Sequence, residues 1–155
     1  MLDYLLVFLI SMVPLIELRG AIPIAISWGI DPWVALGLCT LANMLPVPVI
    51  YFFARKTLLW GQHKPYIWRI CRFFVTKGEK AGQKMVEKTG RKGLFLALLL
   101  FVGVPIPGTG AWTGTLGASF LNMGFKSTVA AVALGVLLAG MIMAAGSMGI
   151  VHIFG

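Results

Sequence analysis

The stretch PLIELRGAIP, residues 14–23, is the most informative part of the sequence, because it places Glu17 and Arg19 inside a hydrophobic N-terminal region. Residues 4–16 are 13 uncharged positions and residues 20–30 are 11, whereas a helix needs about 20 residues to cross a bilayer. Ionisable groups at membrane depth usually mark a substrate or ion path, and flanking prolines favour a helix break there. The alternative interpretation is a mutual ion pair that only fills the space between two half-helices.

The composition indicates an integral membrane protein. Hydrophobic residues make up 59% of the chain and charged residues 12%, and the mean hydropathy is +0.92, which leaves too little polar surface for a soluble domain. Residues 32–54, 93–125 and 127–155 carry no Asp, Glu, Lys or Arg over 23, 33 and 29 positions. Each of these runs is long enough to cross the bilayer as a helix or to fold back within it, so we predict an all-α integral membrane protein.

Positive charge is concentrated in residues 55–92, which hold 11 basic and 2 acidic residues, a local balance of +9, while the rest of the chain sums to −1. The positive-inside rule therefore places this segment in the cytoplasm, with the chain in the inner (plasma) membrane as a multi-pass protein. Nucleic-acid binding is excluded as an interpretation because membrane segments bracket the basic run. Aromatic residues interleave with the cations, so we predict an interfacial amphipathic helix that contacts lipid through Trp68, Arg69 and Arg72. The alternative is a plain cytoplasmic loop.

The chain has the same order of segments on both sides of this basic segment. A broken hydrophobic stretch (4–30) and an unbroken one (32–54) precede it, and a broken stretch (93–124) and an unbroken one (127–153) follow it. In the second broken stretch, two prolines and four glycines fall within residues 103–114, so it cannot continue as one helix. If both broken stretches are re-entrant hairpins, the half-repeat 93–155 is the inversion of the half-repeat 1–54, with 55–92 joining them in one membrane domain, a plan typical of secondary transporters. An ordinary four-span bundle with kinked helices is the alternative.

Two motifs of the chain resemble a known family. ELRGAIP at residues 17–23 and VPIPGTGAWTG at residues 104–114 are similar to the two signatures of the putative small multidrug export protein family, which is considered a relative of the DedA (VTT-domain) superfamily. The resemblance implies two opposed re-entrant loops and transport of polyprenyl phosphate, phospholipid or drugs. It also implies that Glu17 is the acidic residue of the first loop, and that Pro105, Pro107 and Gly108 form the Pro-rich turn of the second. The arginines that flank this turn in DedA proteins are absent here.

The function expected from these observations is proton-coupled translocation of an anionic lipid such as a polyprenyl phosphate. Arg19 would be the counter-charge of the headgroup, Glu17 the proton-coupling group, and the backbone N–H groups of residues 108–114 a cradle for the anion; the candidate binding residues of that turn include Thr109, Gly110 and Thr113. Because residues i and i+2 point to different sides of a helix, both charges can face one cavity only if the helix is unwound between them. Export of lipophilic cations and a non-transporting scaffold subunit are the alternatives. No constellation of residues indicates an enzyme, a metal site or a cofactor.

A homodimer is expected, because two full spans and two hairpins give few walls around a path. Small residues recur at four-residue steps as Ala131, Gly135 and Ala139 and as Gly140 and Ala144, a spacing that lets membrane helices approach closely. We predict that this row forms the interface between copies, with packing against the chain's own hairpins as the alternative.

Overall fold

The computed structural model describes residues 1–106 and 108–154, and within these ranges the chain forms helices and connecting turns without a strand. Seven helices follow one another in this described part of the chain: α1 Leu2–Met12, α2 Glu17–Ser27, α3 Pro32–Met44, α4 Pro46–Gly61, α5 Trp68–Gly103, α6 Ala111–Phe120 and α7 Phe125–Phe154. The all-α prediction is therefore confirmed. Pro32–Gly61 and Phe125–Ile153 are long and apolar enough to cross a membrane.

The first broken stretch forms two helices of 11 residues each, α1 and α2, which pack against each other. The chain leaves helical geometry between Met12 and Glu17, a segment that contains Pro14, and Glu17 itself has a φ of +49°. The break thus ends at Glu17, whereas we had expected unwinding between Glu17 and Arg19. Both residues lie in the first turn of α2, and the left-handed backbone of Glu17, which is rare for a residue with a side chain, redirects its carboxylate.

The unbroken stretch that follows is built from α3 and α4. Asp31 caps α3 by accepting hydrogen bonds from the backbone N–H groups of Trp33 (2.9 Å) and Val34 (3.3 Å), with Pro32 in the first helical position, a favourable combination at a helix start. Leu45 joins α3 to α4 with helical φ and ψ of −59° and −47°, so the two run on as one stretch.

The second broken stretch, like the first, consists of two helical parts separated by a non-helical turn. Helix α5 is interrupted at Gly90, whose φ of 73° and ψ of 178° are not helical; glycine adopts this region at no steric cost. The part of α5 after Gly90 ends at Gly103, and α6 begins at Ala111 and packs against α5. Gly90 lies close to residue 92, where we had expected the basic segment to end.

The small residues of α7 pack inside the chain. Ala131 and Ala139 have no more than 1% of their surface exposed. A side chain at Gly135 would meet the Leu99 carbonyl oxygen and Val102, and one at Gly140 would collide with Leu36. The prediction that this row forms an interface between copies is therefore wrong, because α2, α3 and α5 already occupy it. The homodimer stays a prediction without an assigned surface.

Two buried polar contacts fix the long helices to the broken pairs. The Ser11 hydroxyl of α1 donates to the Cys39 carbonyl of α3 at 3.1 Å. The Tyr51 hydroxyl of α4 donates to the Met123 carbonyl, between α6 and α7, at 2.5 Å. Because buried polar groups are costly when unpaired, these bonds set the register of the neighbouring helices.

Candidate functional site

The carboxylate of Glu17 lies at the N-terminus of α6. Glu17 is 5% exposed, and its Oε1 accepts a hydrogen bond from the backbone N–H of Trp112 at 3.4 Å. The carboxylate rests directly on the backbone of Gly110, the N-cap of α6, so that a Cβ at residue 110 would collide with it. An acidic group at this position complements the unpaired N–H groups and the positive end of the helix dipole.

The guanidinium of Arg19 lies at the end of α5, on the other side of the break that separates α5 from α6. It donates to the backbone carbonyls of Val102 (3.0 Å), Val104 (3.1 Å) and Thr109 (3.0 Å), and also to that of Ile106. The last carbonyls of a helix have no intrahelical donor, and a cation complements their negative dipole end. Arg19 therefore caps α5 and ties down the turn that follows it.

The two charges of the first break thus bind the two helix ends of the second break. Glu17 bonds at the start of α6 and Arg19 at the end of α5, each against the helix dipole of the matching sign. This differs from the mutual ion pair that the sequence left open, because the bonds run between the two broken stretches, 83 to 95 residues apart in the chain. We refer to these contacts as the Glu17–Arg19 clasp.

A cavity of about 270 Å³ adjoins the Glu17–Arg19 clasp, between the two breaks. Most of the residues predicted for the binding site line it, namely Glu17, Arg19, Pro105, Gly108 and Gly110. Thr109 contributes its carbonyl to Arg19, and its hydroxyl donates to the carbonyls of Val104 (3.0 Å) and Ile106 (2.8 Å). Pro107 lies outside the described residues. Thr113 lines a different cavity, between α5 and α6, so the structure does not bring it to this one, and its role in binding stays a prediction.

The cradle predicted for an anion is filled by the protein's own carboxylate. The N–H group of Trp112, within residues 108–114, donates to Glu17. The sequence argument missed Trp112 as a site residue: its indole N–H also donates to the Met12 carbonyl, at the end of α1, at 3.2 Å. A tryptophan that follows a glycine-rich turn could have indicated this role, since a buried indole N–H needs a hydrogen-bond partner.

The residues predicted to contact lipid lie on the first turns of α5. Trp68, Arg69 and Arg72 are exposed there, and the Arg69 guanidinium lies over the Trp68 ring at 5.7 Å from its centroid. Similar contacts join Lys64 to Trp60 (4.7 Å) and Lys77 to Phe73 (5.4 Å). Cation–π pairs of this kind keep an aromatic body and its charge together at a surface. The contact with lipid stays a prediction.

Comparison with known proteins assigns the family. A family model described as "Putative small multi-drug export protein" matches residues 17–142, which is most of the chain. The chain belongs to this family. The match begins at Glu17, where the first break ends, and includes the whole of the second break, so the Glu17–Arg19 clasp lies inside the matched region. Together with the two apolar helical stretches, membership of the export family identifies a membrane protein concerned with transport. Searches of curated proteins and of solved structures found no match.

Proposed function

We propose that the protein is a multi-pass inner-membrane exporter of amphiphilic molecules, in which the two broken helix pairs are re-entrant hairpins that enter from opposite sides. The order of elements supports this: a pair of short packed helices precedes a long apolar stretch in both halves. The basic segment, held in the cytoplasm, would set the orientation of the two halves. Two opposed hairpins meeting near the midplane would also make the chain a relative of the DedA superfamily.

The observation that carries this proposal is the Glu17–Arg19 clasp. In transporters with discontinuous helices, the ends of half-helices form the substrate and ion site. Here an ionised Glu17 holds the start of α6, and protonation would remove the negative charge that favours this contact. The start of α6 could then separate from the first break while Arg19 keeps its hold on the end of α5, which would open the adjoining cavity. Glu17 is in this way the proton-coupling residue, and Arg19, which cannot lose its proton, is the permanent anchor.

The clasp favours a lipophilic cation over an anionic lipid as substrate. A lipid phosphate would have to displace the Glu17 carboxylate from the α6 N-terminus, and Arg19 would have to release backbone carbonyls that it now holds. Translocation of an anionic lipid such as a polyprenyl phosphate is the second candidate, because Arg19 lines the cavity and a guanidinium binds phosphate in a bidentate manner.

Reconstituted vesicles test the proposal. Vesicles containing the full chain, loaded with a fluorescent quaternary ammonium dye, should release it faster under an imposed proton gradient than protein-free vesicles do. The Glu17→Gln variant should lose this response to the gradient while folding normally. Equal dye release with and without protein would contradict export and favour the scaffold alternative. Gradient-driven movement of polyprenyl phosphate, abolished by Arg19→Lys, would favour the second candidate.

A further inference from the structure

Two cavities of different character adjoin each other between α5 and the α6–α7 region. One, of about 690 Å³, has both polar and apolar side chains in its walls, and the other, of about 460 Å³, is lined almost entirely by apolar ones. They share Leu94, Leu121 and Met123 as walls. A chamber with charged and polar walls (the polar chamber) next to an apolar one (the apolar chamber) suits an amphiphilic molecule.

Acidic side chains mark the polar chamber. Residues 55–92 contain two acidic residues, Glu79 and Glu87, and both line this chamber. Arg91 lies there too, together with the neutral Gln83 and Asn122. The carboxylates therefore outnumber the cations among the described residues of the chamber, although the surrounding segment carries a charge of +9.

Four other cations of the same helix lie at a different surface. Arg69, Arg72, Lys77 and Lys80 line a separate groove on the first turns of α5. Charges on different sides of an exposed helix are screened from one another over about 8 Å at physiological salt. The sign of charge at the chamber is therefore set by its own residues and not by the net charge of the segment.

The α6 side of the apolar chamber includes small residues. Gly114, Gly117 and Ala118 of α6 face Leu98 and Phe101 of α5, with Thr113 at the edge. A Cβ at Gly117 would meet no atom within 4 Å, so the space beside this glycine is open. An aromatic or aliphatic body placed there would be removed from water and from the cytoplasmic charges at the same time.

We propose that the two adjoining chambers form the cytoplasmic entry site of the transporter and bind an amphiphilic organic cation, with its charge beside Glu79 and Glu87 and its apolar body between α5 and α6. This inference rests on the proposed export function, since it names the substrate class and the place where the substrate enters. It involves residues outside the Glu17–Arg19 clasp, so the two can fail separately.

Binding of tetraphenylphosphonium to the full chain in phosphatidylcholine nanodiscs, measured by equilibrium dialysis, tests this site without any need for transport. The double variant Glu79→Gln, Glu87→Gln should bind about tenfold more weakly. A tenfold change in affinity corresponds to about 1.4 kcal/mol, which is of the order of the contribution of two partly exposed charge contacts. Asp3→Asn makes a matched removal of one negative charge outside both chambers and should leave binding unchanged. Gly117→Leu should fill the apolar chamber and reduce binding to a similar extent, whereas Gly37→Leu, at another glycine with open space, should not.

Tetraphenylborate, an anion of nearly the same shape, separates charge recognition from apolar adsorption. We expect it to bind the wild-type chain more weakly than the phosphonium and to be insensitive to the two glutamate substitutions. Equal binding of the two ions, or phosphonium binding that survives the double glutamate variant, would overturn the inference. If phosphonium binding depends on both chambers but no gradient-driven release is seen in vesicles, the entry site stands and the export proposal fails.

Discussion

Replacing Gly110 by alanine should break the contact between Glu17 and α6 without touching either charge. A Cβ at residue 110 would collide with the Glu17 carboxylate. The backbone of Gly110 has φ and ψ of −84° and −167°, which alanine adopts without strain. Any loss of stability in Gly110→Ala therefore reports the displaced carboxylate and not the backbone.

The expected size of this loss follows from the contact that is removed. A hydrogen bond to a charged group contributes about 1.5–3 kcal/mol, and a carboxylate at a helix N-terminus contributes about 0.3–1 kcal/mol more. The Glu17–Trp112 bond is long at 3.4 Å, and the displaced carboxylate can turn into the adjoining cavity. We therefore expect the lower end, about 2 kcal/mol, or a fall in melting temperature of roughly 4–8 °C for a chain of this length.

Thermal unfolding of the detergent-solubilised protein, followed by circular dichroism, measures this change. Gly117→Ala on the same helix is the matched control, because its Cβ meets no neighbour, and it should stabilise the protein by up to about 1 kcal/mol. In a Glu17→Ala background the cost of Gly110→Ala should disappear, which a double-mutant cycle detects. If Gly110→Ala melts like Gly117→Ala, or costs the same with and without Glu17, the described contact is refuted.

Three further outcomes are expected. Arg19→Lys should lower the unfolding free energy by about 1–2 kcal/mol, because one ammonium cannot serve the four carbonyls that the guanidinium reaches; an unchanged melting temperature would show that capping of α5 by Arg19 is dispensable. Tyr51→Phe should cost about 1–2 kcal/mol by leaving the Met123 carbonyl without its buried donor, whereas a neutral result in the same melting experiment would mean that water replaces the hydroxyl. In a background without Cys39 and Cys71, Lys64→Cys and Lys126→Cys should be labelled by a membrane-impermeant maleimide from the cytoplasmic side and Asp31→Cys from outside; external labelling at residue 126 would exclude the re-entrant arrangement.

Hydropathy and the positions of the helix-breaking residues proline and glycine were enough to predict most of the fold. The uncharged runs and the basic segment predicted the helical class and the order of broken and unbroken stretches, because these depend on local composition and on Pro and Gly. The position of the first break was less accurate: a left-handed Glu17 is a tertiary outcome, stabilised by bonds to a segment 95 residues away, and no local pattern encodes it.

The sequence identified most residues of the candidate site but not the contacts that each of them makes. Glu17, Arg19, Pro105, Gly108 and Gly110 were all named from the sequence and line one cavity. Their partners could not be foreseen, because the helix ends that Glu17 and Arg19 cap belong to the other half of the chain. The small residues of α7 were misassigned for the same reason: their spacing favours close helix packing, but it does not distinguish packing within a chain from packing between chains.

The distance between the first break and the start of α6 shows directly whether Glu17 controls their separation. Leu15 in the first break is 93% exposed, and Thr113 on the first turn of α6 is exposed, so spin labels at Leu15→Cys and Thr113→Cys, in the background without native cysteines, report the separation of the first break from the helix end that Glu17 holds, by pulsed electron paramagnetic resonance. We predict one short distance at neutral pH, a second and longer distance on acidification, and the longer distance at every pH in the Glu17→Gln variant. A distance that is the same at neutral and acidic pH, and the same in the Glu17→Gln variant, would contradict the account.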